Sequence, residues 1–254
     1  MHIRGGTGLG DSLYLRVIAE HFIRQGKRVT AHTYHPDVFI GSGALTEPFR
    51  RDRMDLVAHY TLGKTNYATS QWQDICAMAK VPDMPLRFDW TVRNTVLMNG
   101  IMDRAAGRKI ILVHGGREPM NRVDGFAREL MPAESAFRAA MDALADCLTI
   151  RIGAGKTHYK IDCEIDLSDQ TTASDLLDLA FISDGILAQC SFAIPLAEVF
   201  DKPMLMIWSQ LVATARYDYV RQITPKKVLS GPRSTYLIDN LAPELIRENV
   251  AAWL

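Results

Sequence analysis

The sequence predicts an α/β protein built on parallel sheet, and three observations carry that reading. Short β-type runs alternate with helix-length amphipathic stretches along the whole chain. Most of the short runs are apolar throughout, as strands covered on both faces must be. The chain has 254 residues, 48% hydrophobic and 23% charged, which suits one large domain or two small ones with a real core and excludes a disordered chain.

Strands are predicted at Met1 to Arg4, Arg28 to Tyr34, Asp55 to Tyr60, Lys109 to His114, Leu148 to Gly153, Gly185 to Gln189 and Pro203 to Trp208. The first helix is predicted over Asp11 to Gln25. It has a cap-like Asp-Ser start, apolar Leu13, Val17, Ile18 and Phe22, and Gly26 in the stop position. Further helices are predicted at Ser70 to Ala79, Glu134 to Ala145, Ser174 to Phe181, Phe192 to Phe200 and Pro243 to Trp253. A seam is expected near residues 93–108, where Arg93-Asn94-Thr95 and Ala106-Gly107-Arg108 precede a fresh strand. It divides the chain into α/β halves at 1–105 and 106–254. The first holds 13 Lys and Arg against 10 Asp and Glu, the second 16 against 19, so the halves carry about +3 and −3 and would attract across a cleft. No internal repeat is visible, and Gly115 to Pro132 reads as a long polar loop of the kind that carries function.

Charge and cysteine usage narrow the function classes. Lys plus Arg equals Asp plus Glu at 29 each, so the molecule as a whole has no field that would draw it to a nucleic-acid backbone or an anionic bilayer. Apolar runs such as Met204 to Trp208 are about five residues, against the roughly 20 of a membrane helix, and no transmembrane span is expected. The start, Met1-His2-Ile3-Arg4-Gly5-Gly6, has no apolar signal-peptide region, which makes the cytoplasm the expected compartment. Cys76, Cys147, Cys163 and Cys190 form no C-x-x-C pair and read as reduced core thiols.

The sharpest local signal is Gly5-Gly6-Thr7-Gly8-Leu9-Gly10-Asp11, between a short strand and a helix start. Four glycines let the backbone turn tightly, approach a ligand closely and present amides with the positive end of the helix dipole, which suits an anion or a sugar. Gly8, Gly10 and Ser12 are the loop's candidate acceptor or phosphate contacts. The loop is no P-loop, because no Gly-Lys-Ser/Thr ends it; the later Gly155-Lys156-Thr157 has Ile150 where the first glycine is needed. It is no dinucleotide fingerprint either. A GxGxxG from Gly6 meets Asp11 at its last position, and Val29 to Tyr34 ends in no acid.

The stretch GGTGLGDSLYLRVIAEHFIRQGKRVTAHTY resembles the opening of two-domain sugar-nucleotide glycosyltransferases of the GT-B fold. Gly-Gly-Thr-Gly is similar to the undecaprenyl-muramyl-pentapeptide N-acetylglucosaminyltransferase type, which has His where this chain has Asp11; Leu9-Gly10-Asp11 is closer to the ADP-heptose lipopolysaccharide heptosyltransferases. In that family the Asp is the proposed base for the acceptor hydroxyl, a role the resemblance gives to Asp11. Thr172 to Pro203 resembles the family's helix, strand, donor loop and helix, with Cys190-Ser191-Phe192-Ala193-Ile194-Pro195 where members carry Asp-Ser-Gly-x-x-His. Ser191 matches; Cys190 and Pro195 replace the Asp and the His. Val113-His114-Gly115-Gly116-Arg117 resembles the strand and loop that open the second domain, making Arg117 and Arg122 candidates for the donor diphosphate. Ser191, Phe192 and Ser209 complete the expected donor contacts.

The resemblance implies two Rossmann-like α/β domains facing a cleft, acceptor side first and nucleotide-sugar side second. It also implies a metal-independent transferase that moves a sugar from a nucleotide diphosphate sugar to an acceptor hydroxyl. Two alternatives remain: a binding protein that holds a nucleotide or sugar phosphate without transfer, and a transferase acting on a polymer such as modified nucleic acid. At 254 residues the chain is short for the family, which predicts trimmed loops. Elsewhere, His32 and His35 have only Asp37 nearby and lack a third metal ligand, so no metal is expected. His114 reads as a core imidazole, Arg50-Arg51-Asp52-Arg53 as a solvated edge, and the run into Trp208 as core strand.

Overall fold

The computed structural model describes residues 1–52, 54–59, 69–116, 130–155, 157–215, 221 and 223–253. Two parallel sheets form. The first contains β1 (His2–Arg4), β2 (Thr30–Thr33), β3 (Leu45–Pro48) and β4 (Leu56–Val57) in the order β3-β2-β1-β4. The second contains β5 (Ile110–His114), β6 (Leu148–Arg151), β7 (Ile165–Asp166), β8 (Gly185–Ala188), β9 (Met204–Trp208) and β10 (Ser234–Ile238) in the order β10-β9-β8-β5-β6-β7. Each order reverses beside the strand that starts its sheet: β2 and β3 lie to one side of β1 and β4 to the other, and β5 is likewise flanked by β6 and β8. At such a reversal the connections diverge and leave a crevice outside the carboxyl ends of the strands.

The helices are α1 (Leu9–Arg24), α2 (Gln71–Ala79), α3 (Thr95–Ala105), α4 (Glu134–Asp142), α5 (Ala173–Ile182), α6 (Ala193–Val199), α7 (Pro225–Val228) and α8 (Pro243–Trp253). All six expected helices are present, and all seven expected strands pair, over shorter spans; of Asp55 to Tyr60 only Leu56–Val57 pairs, and Tyr60 lies outside the described residues. Three strands and two helices were not expected: β3, β7, β10, α3 and α7. The largest difference from expectation lies within the seam at 93–108, where residues expected to be irregular form α3. Asn94 accepts from the Leu97 amide at 3.1 Å, Met98, Ile101 and Ala105 turn inward at helical spacing, and the chain leaves through Ala106 at φ 50° and Gly107 at φ 86°. The start of α1 is also corrected. Gly8 is its N-cap, and Asp11 stands inside the first turn, where its carboxylate faces the positive end of the helix. Gly26, at φ 79°, closes the helix as expected.

The second sheet is apolar on both faces. Leu112, Ile150, Ile186, Met204 and Met206 pack on one side, continuous with the core of α1, α2, Phe88 and Trp90. Ile111, Val113, Leu187, Leu205 and Ile207 pack on the other, with α4 and α8. The first sheet is one-sided. Ile3, Ala31 and Leu13 to Ile18 of α1 make its core, whereas the register puts His2, Arg4, Thr30, His32 and Glu47 on the opposite face.

Two buried polar groups fix the segment between the sheets. Asp178 of α5, fully buried, accepts from Trp90 Nε1 at 2.7 Å and from the Arg93 and Asn94 amides at 2.9 and 2.7 Å. Arg16 of α1 donates to Glu20, to the Val38 carbonyl at 2.6 Å and to the Asp89 carbonyl at 2.9 Å, with its guanidinium 3.8 Å above the Phe88 ring. Burial holds the Arg16 pKa below its ordinary value and raises that of Glu20, while their mutual hydrogen bond opposes both shifts.

Candidate active site

The glycine loop leaves β1 at the reversal of the first sheet and enters α1. Its shape requires glycine at named points. A methyl group on Gly6 would stand 2.3 Å from Asp11 Oδ2, so the loop folds directly over that carboxylate. The Gly8 amide donates to Asp11 Oδ2 at 2.9 Å. Asp11 is thus a capping residue as well as the expected base. Burial raises its pKa above the ordinary carboxyl value, opposed by the Gly8 amide and by the imidazoles of His59 and His35.

Those two histidines arrive from other strands, His35 just past β2 and His59 just past β4. The Thr33 hydroxyl accepts from the His35 amide at 2.9 Å. The His35 ring bonds the Thr7 backbone, and burial lowers its pKa against that bond and the Asp11 charge. Weighed on sequence spacing only as a metal ligand beside His32, His35 is instead an electrostatic neighbour of Asp11. Ser12 is placed differently from its expected role. Its hydroxyl is buried and bonds Thr33 Oγ1 at 2.9 Å and the Gly8 carbonyl at 3.3 Å, which pins α1 to β2.

At the reversal of the second sheet, β5 ends in His114 and β8 runs into Gln189-Cys190-Ser191-Phe192. The Gln189 amide donates to the His114 carbonyl at 2.9 Å, and the His114 ring meets the Phe192 ring edge-on at 4.8 Å. His114 is buried, as expected of a core imidazole. Ser191 Oγ accepts from the Ala193 amide at 3.2 Å and opens α6. Cys190 has its thiol pushed up to about 12 by burial, which keeps it neutral. Pro195 is buried inside α6. Ser209, at the end of β9, caps the following turn by accepting from the Leu211 amide at 3.2 Å. Arg117 and Arg122 lie outside the described residues.

One contact joins the two reversals. A methyl group on Gly10 would stand 3.1 Å from Pro195 Cγ and 3.4 Å from Phe192 Cα, so the first turn of α1 rests on the loop that opens α6. The glycine loop and the Ser191–Phe192 loop, read separately from the sequence, are therefore neighbours. Gly8, Gly10, Asp11, Ser191 and Phe192 come together; the Ser12 hydroxyl is engaged with Thr33 of β2, and the Ser191 and Ser209 hydroxyls each accept from an amide of the turn they open. His35 and His59 are the site residues that sequence reading missed. Their only signal was a polar residue just beyond a strand end, and their convergence on Asp11 depends on the strand order.

No helix among the described residues is long and apolar enough to cross a membrane. Neither a protein-family model nor a curated protein sequence matches the chain. Solved structures do match in shape. The ADP-heptose lipopolysaccharide heptosyltransferase II of E. coli aligns with a TM-score of 0.68 at 10% identity, over 99% of this chain and 97% of that one. The iron-containing dodecameric glycosyltransferase TibC of enterotoxigenic E. coli aligns at 0.61 and 14% identity, over 92% of this chain and 63% of that one. The E. coli heptosyltransferase WaaC, solved with ADP, aligns at 0.54 and 8% identity over the full length of both chains. At such identities the likeness is one of architecture, and this chain has the GT-B fold of the ADP-heptose heptosyltransferases in a divergent sequence.

Proposed function

We propose that the protein is a glycosyltransferase that moves a sugar from a nucleotide diphosphate sugar to an acceptor hydroxyl. The observation that carries this reading is the seating of Gly10 against Phe192 and Pro195, which sets the Asp11 loop beside the loop that opens α6. Residues 1–105 would present the acceptor and residues 106–254 the donor. Asp11 takes the acceptor proton as its oxygen attacks the anomeric carbon and the bond to the diphosphate breaks. A raised carboxyl pKa makes Asp11 a stronger base than an exposed aspartate, while the Gly8 amide, His59 and His35 oppose the rise. Ser191, Phe192, Ser209, Arg117 and Arg122 are assigned to the donor, and the leaving diphosphate is stabilised by them without a required metal.

Similar structures were solved with ADP and with ADP-D-beta-D-heptose, which makes adenosine diphosphate sugars the first donors to test. In a coupled assay for released nucleoside diphosphate, Asp11→Asn should lose about 10²- to 10⁴-fold in turnover while donor affinity is retained. Full turnover in that variant would remove Asp11 from its role. The second reading, a protein that binds the nucleotide sugar without transfer, is favoured by Cys190 and Pro195. The first is a neutral thiol and the second a buried ring, where the heptosyltransferase motif that this stretch resembles has an Asp and a His. It predicts saturable donor binding with no diphosphate released for any acceptor.

A further inference from the structure

The polar face of the first sheet poses a separate question. Parallel strands are ordinarily apolar on both faces, yet here neighbouring positions on three strands carry two imidazoles and a carboxylate. Glu47 on β3 is the cross-strand partner of His32 on β2, and His2 on β1 points to the same side. One ligand atom from each of His2, His32 and Glu47 lies within 4.8 Å of the other two. His2 Nδ1 and His32 Nε2 are 3.0 Å apart, with the rings stacked 5.2 Å between centroids at 30°.

We propose that His2, His32 and Glu47 bind a divalent transition metal ion of the zinc, nickel or copper class. A single ion about 2.1 Å from each imidazole nitrogen would see the observed pair at about 90°, the angle of square-planar or octahedral copper and nickel, whereas tetrahedral zinc needs the nitrogens to part by a few tenths of an ångström. The donor set of two imidazoles and one carboxylate selects these transition ions over magnesium and calcium, which prefer oxygen. His32 is buried and held on a strand between two others, so its position is fixed before any ion arrives. His2 is exposed and Glu47 is part-exposed, which leaves the ion a way in. A cation already occupies part of the cluster. The Arg50 guanidinium pairs with Glu47 and donates from Nε to His32 Nδ1 at 3.3 Å. An incoming ion displaces it from Glu47. With the ion on His32 Nε2, the Nδ1 hydrogen faces the Pro48 carbonyl at 3.4 Å, the second hydrogen bond that usually orients a metal-bound imidazole; Glu47 Oε2, now 3.7 Å from Nδ1, must swing toward the His2 side of the ring to complete the site. The site lies at the start of the strand that feeds the glycine loop, and it stands whether or not the protein transfers sugar.

The test is calorimetric titration of tag-free full-length protein, stripped with a chelator, using ZnCl₂ and NiCl₂, with MgCl₂ as the comparison. One transition ion per chain should bind with micromolar or tighter affinity, and magnesium should not. His2→Ala, His32→Ala and Glu47→Gln should each weaken binding by at least about tenfold. Arg50→Ala should tighten it by freeing Glu47. His2 is exposed, so its variant remains informative even if the buried His32→Ala fails to fold. Absence of saturable uptake, uptake unchanged in His2→Ala and Glu47→Gln, or equal binding of magnesium would each overturn the assignment.

Discussion

Replacing Asp178 with alanine tests how the two sheets are tied together. The carboxylate is fully buried on α5 and receives the Trp90 indole N–H and the Arg93 and Asn94 amides, all within 3.1 Å. Those three donors belong to the segment that leads into α3. Removing the carboxylate leaves the buried Trp90 N–H without a partner and the Arg93 and Asn94 amides only partly reachable by water, and each hydrogen bond to a charged acceptor contributes about 1.5–3 kcal/mol. The three are coupled, so the loss is less than their sum, about 3–5 kcal/mol, the range for breaking a buried charged network. At about 2–4 °C per kcal/mol for a chain of this size, the melting temperature should fall by roughly 6–20 °C. Thermal and urea unfolding followed by circular dichroism measure this. Trp90→Phe, which removes one donor and leaves the carboxylate two others, should cost about 1–2 kcal/mol, and a double-mutant cycle should show the two changes to be coupled. A cost below about 1 kcal/mol for Asp178→Ala would refute the claim that this carboxylate anchors the connection.

Three further outcomes follow from the geometry. Gly10→Val should destabilise the protein by about 1–3 kcal/mol by overpacking against Pro195 and Phe192, and Pro195→Ala should recover part of that loss in the double variant; additive costs in unfolding experiments would contradict the contact. His35→Ala removes an imidazole whose protonated form lowers the Asp11 pKa, so the acid limb of the kcat/KM profile, expected above the ordinary carboxylate range, should move to higher pH; a limb that stays in place would dissociate the two groups. The exposed Glu164 carboxyl is pulled down to about 2 by hydrogen bonds from Arg108 and Arg104. Because the folded pKa lies below the unfolded one, its contribution is present above about pH 4.5 and lost as pH falls toward 2. Glu164→Gln should flatten stability in that window, and salt should shrink the difference.

Much of the fold was legible because most central strands of a parallel sheet are apolar on both faces, as Ile110 to Val113 and Met204 to Trp208 are. The edges were not. In β3 the run Leu-Thr-Glu-Pro has no inward face and is a strand because it borders β2, while β7 is two residues long. Helix α3 was hidden by Asn99-Gly100 and Asp103-Arg104, which blur its amphipathic pattern; Asp178, 84 residues beyond Asn94, bonds the turn that starts it. In the site, the glycines and Asp11 were readable because a tight turn before a helix restricts residue type. Asp11's neighbours were not, since His35 and His59 reach it through the order β2-β1-β4. The Ser12–Thr33 bond was not legible, because a hydroxyl beside a glycine loop looks the same in sequence whether it faces a ligand or a neighbouring strand.

The central claim, a nucleotide-sugar site where the two loops meet, is tested most directly by thermal unfolding in the presence of adenosine, uridine and guanosine diphosphates. A ligand at about 100 times its Kd adds roughly 2.7 kcal/mol, a rise of roughly 5–10 °C for a chain of this length. The account predicts such a rise for one nucleotide, reduced in Phe192→Ala. No rise with any of the three would contradict it.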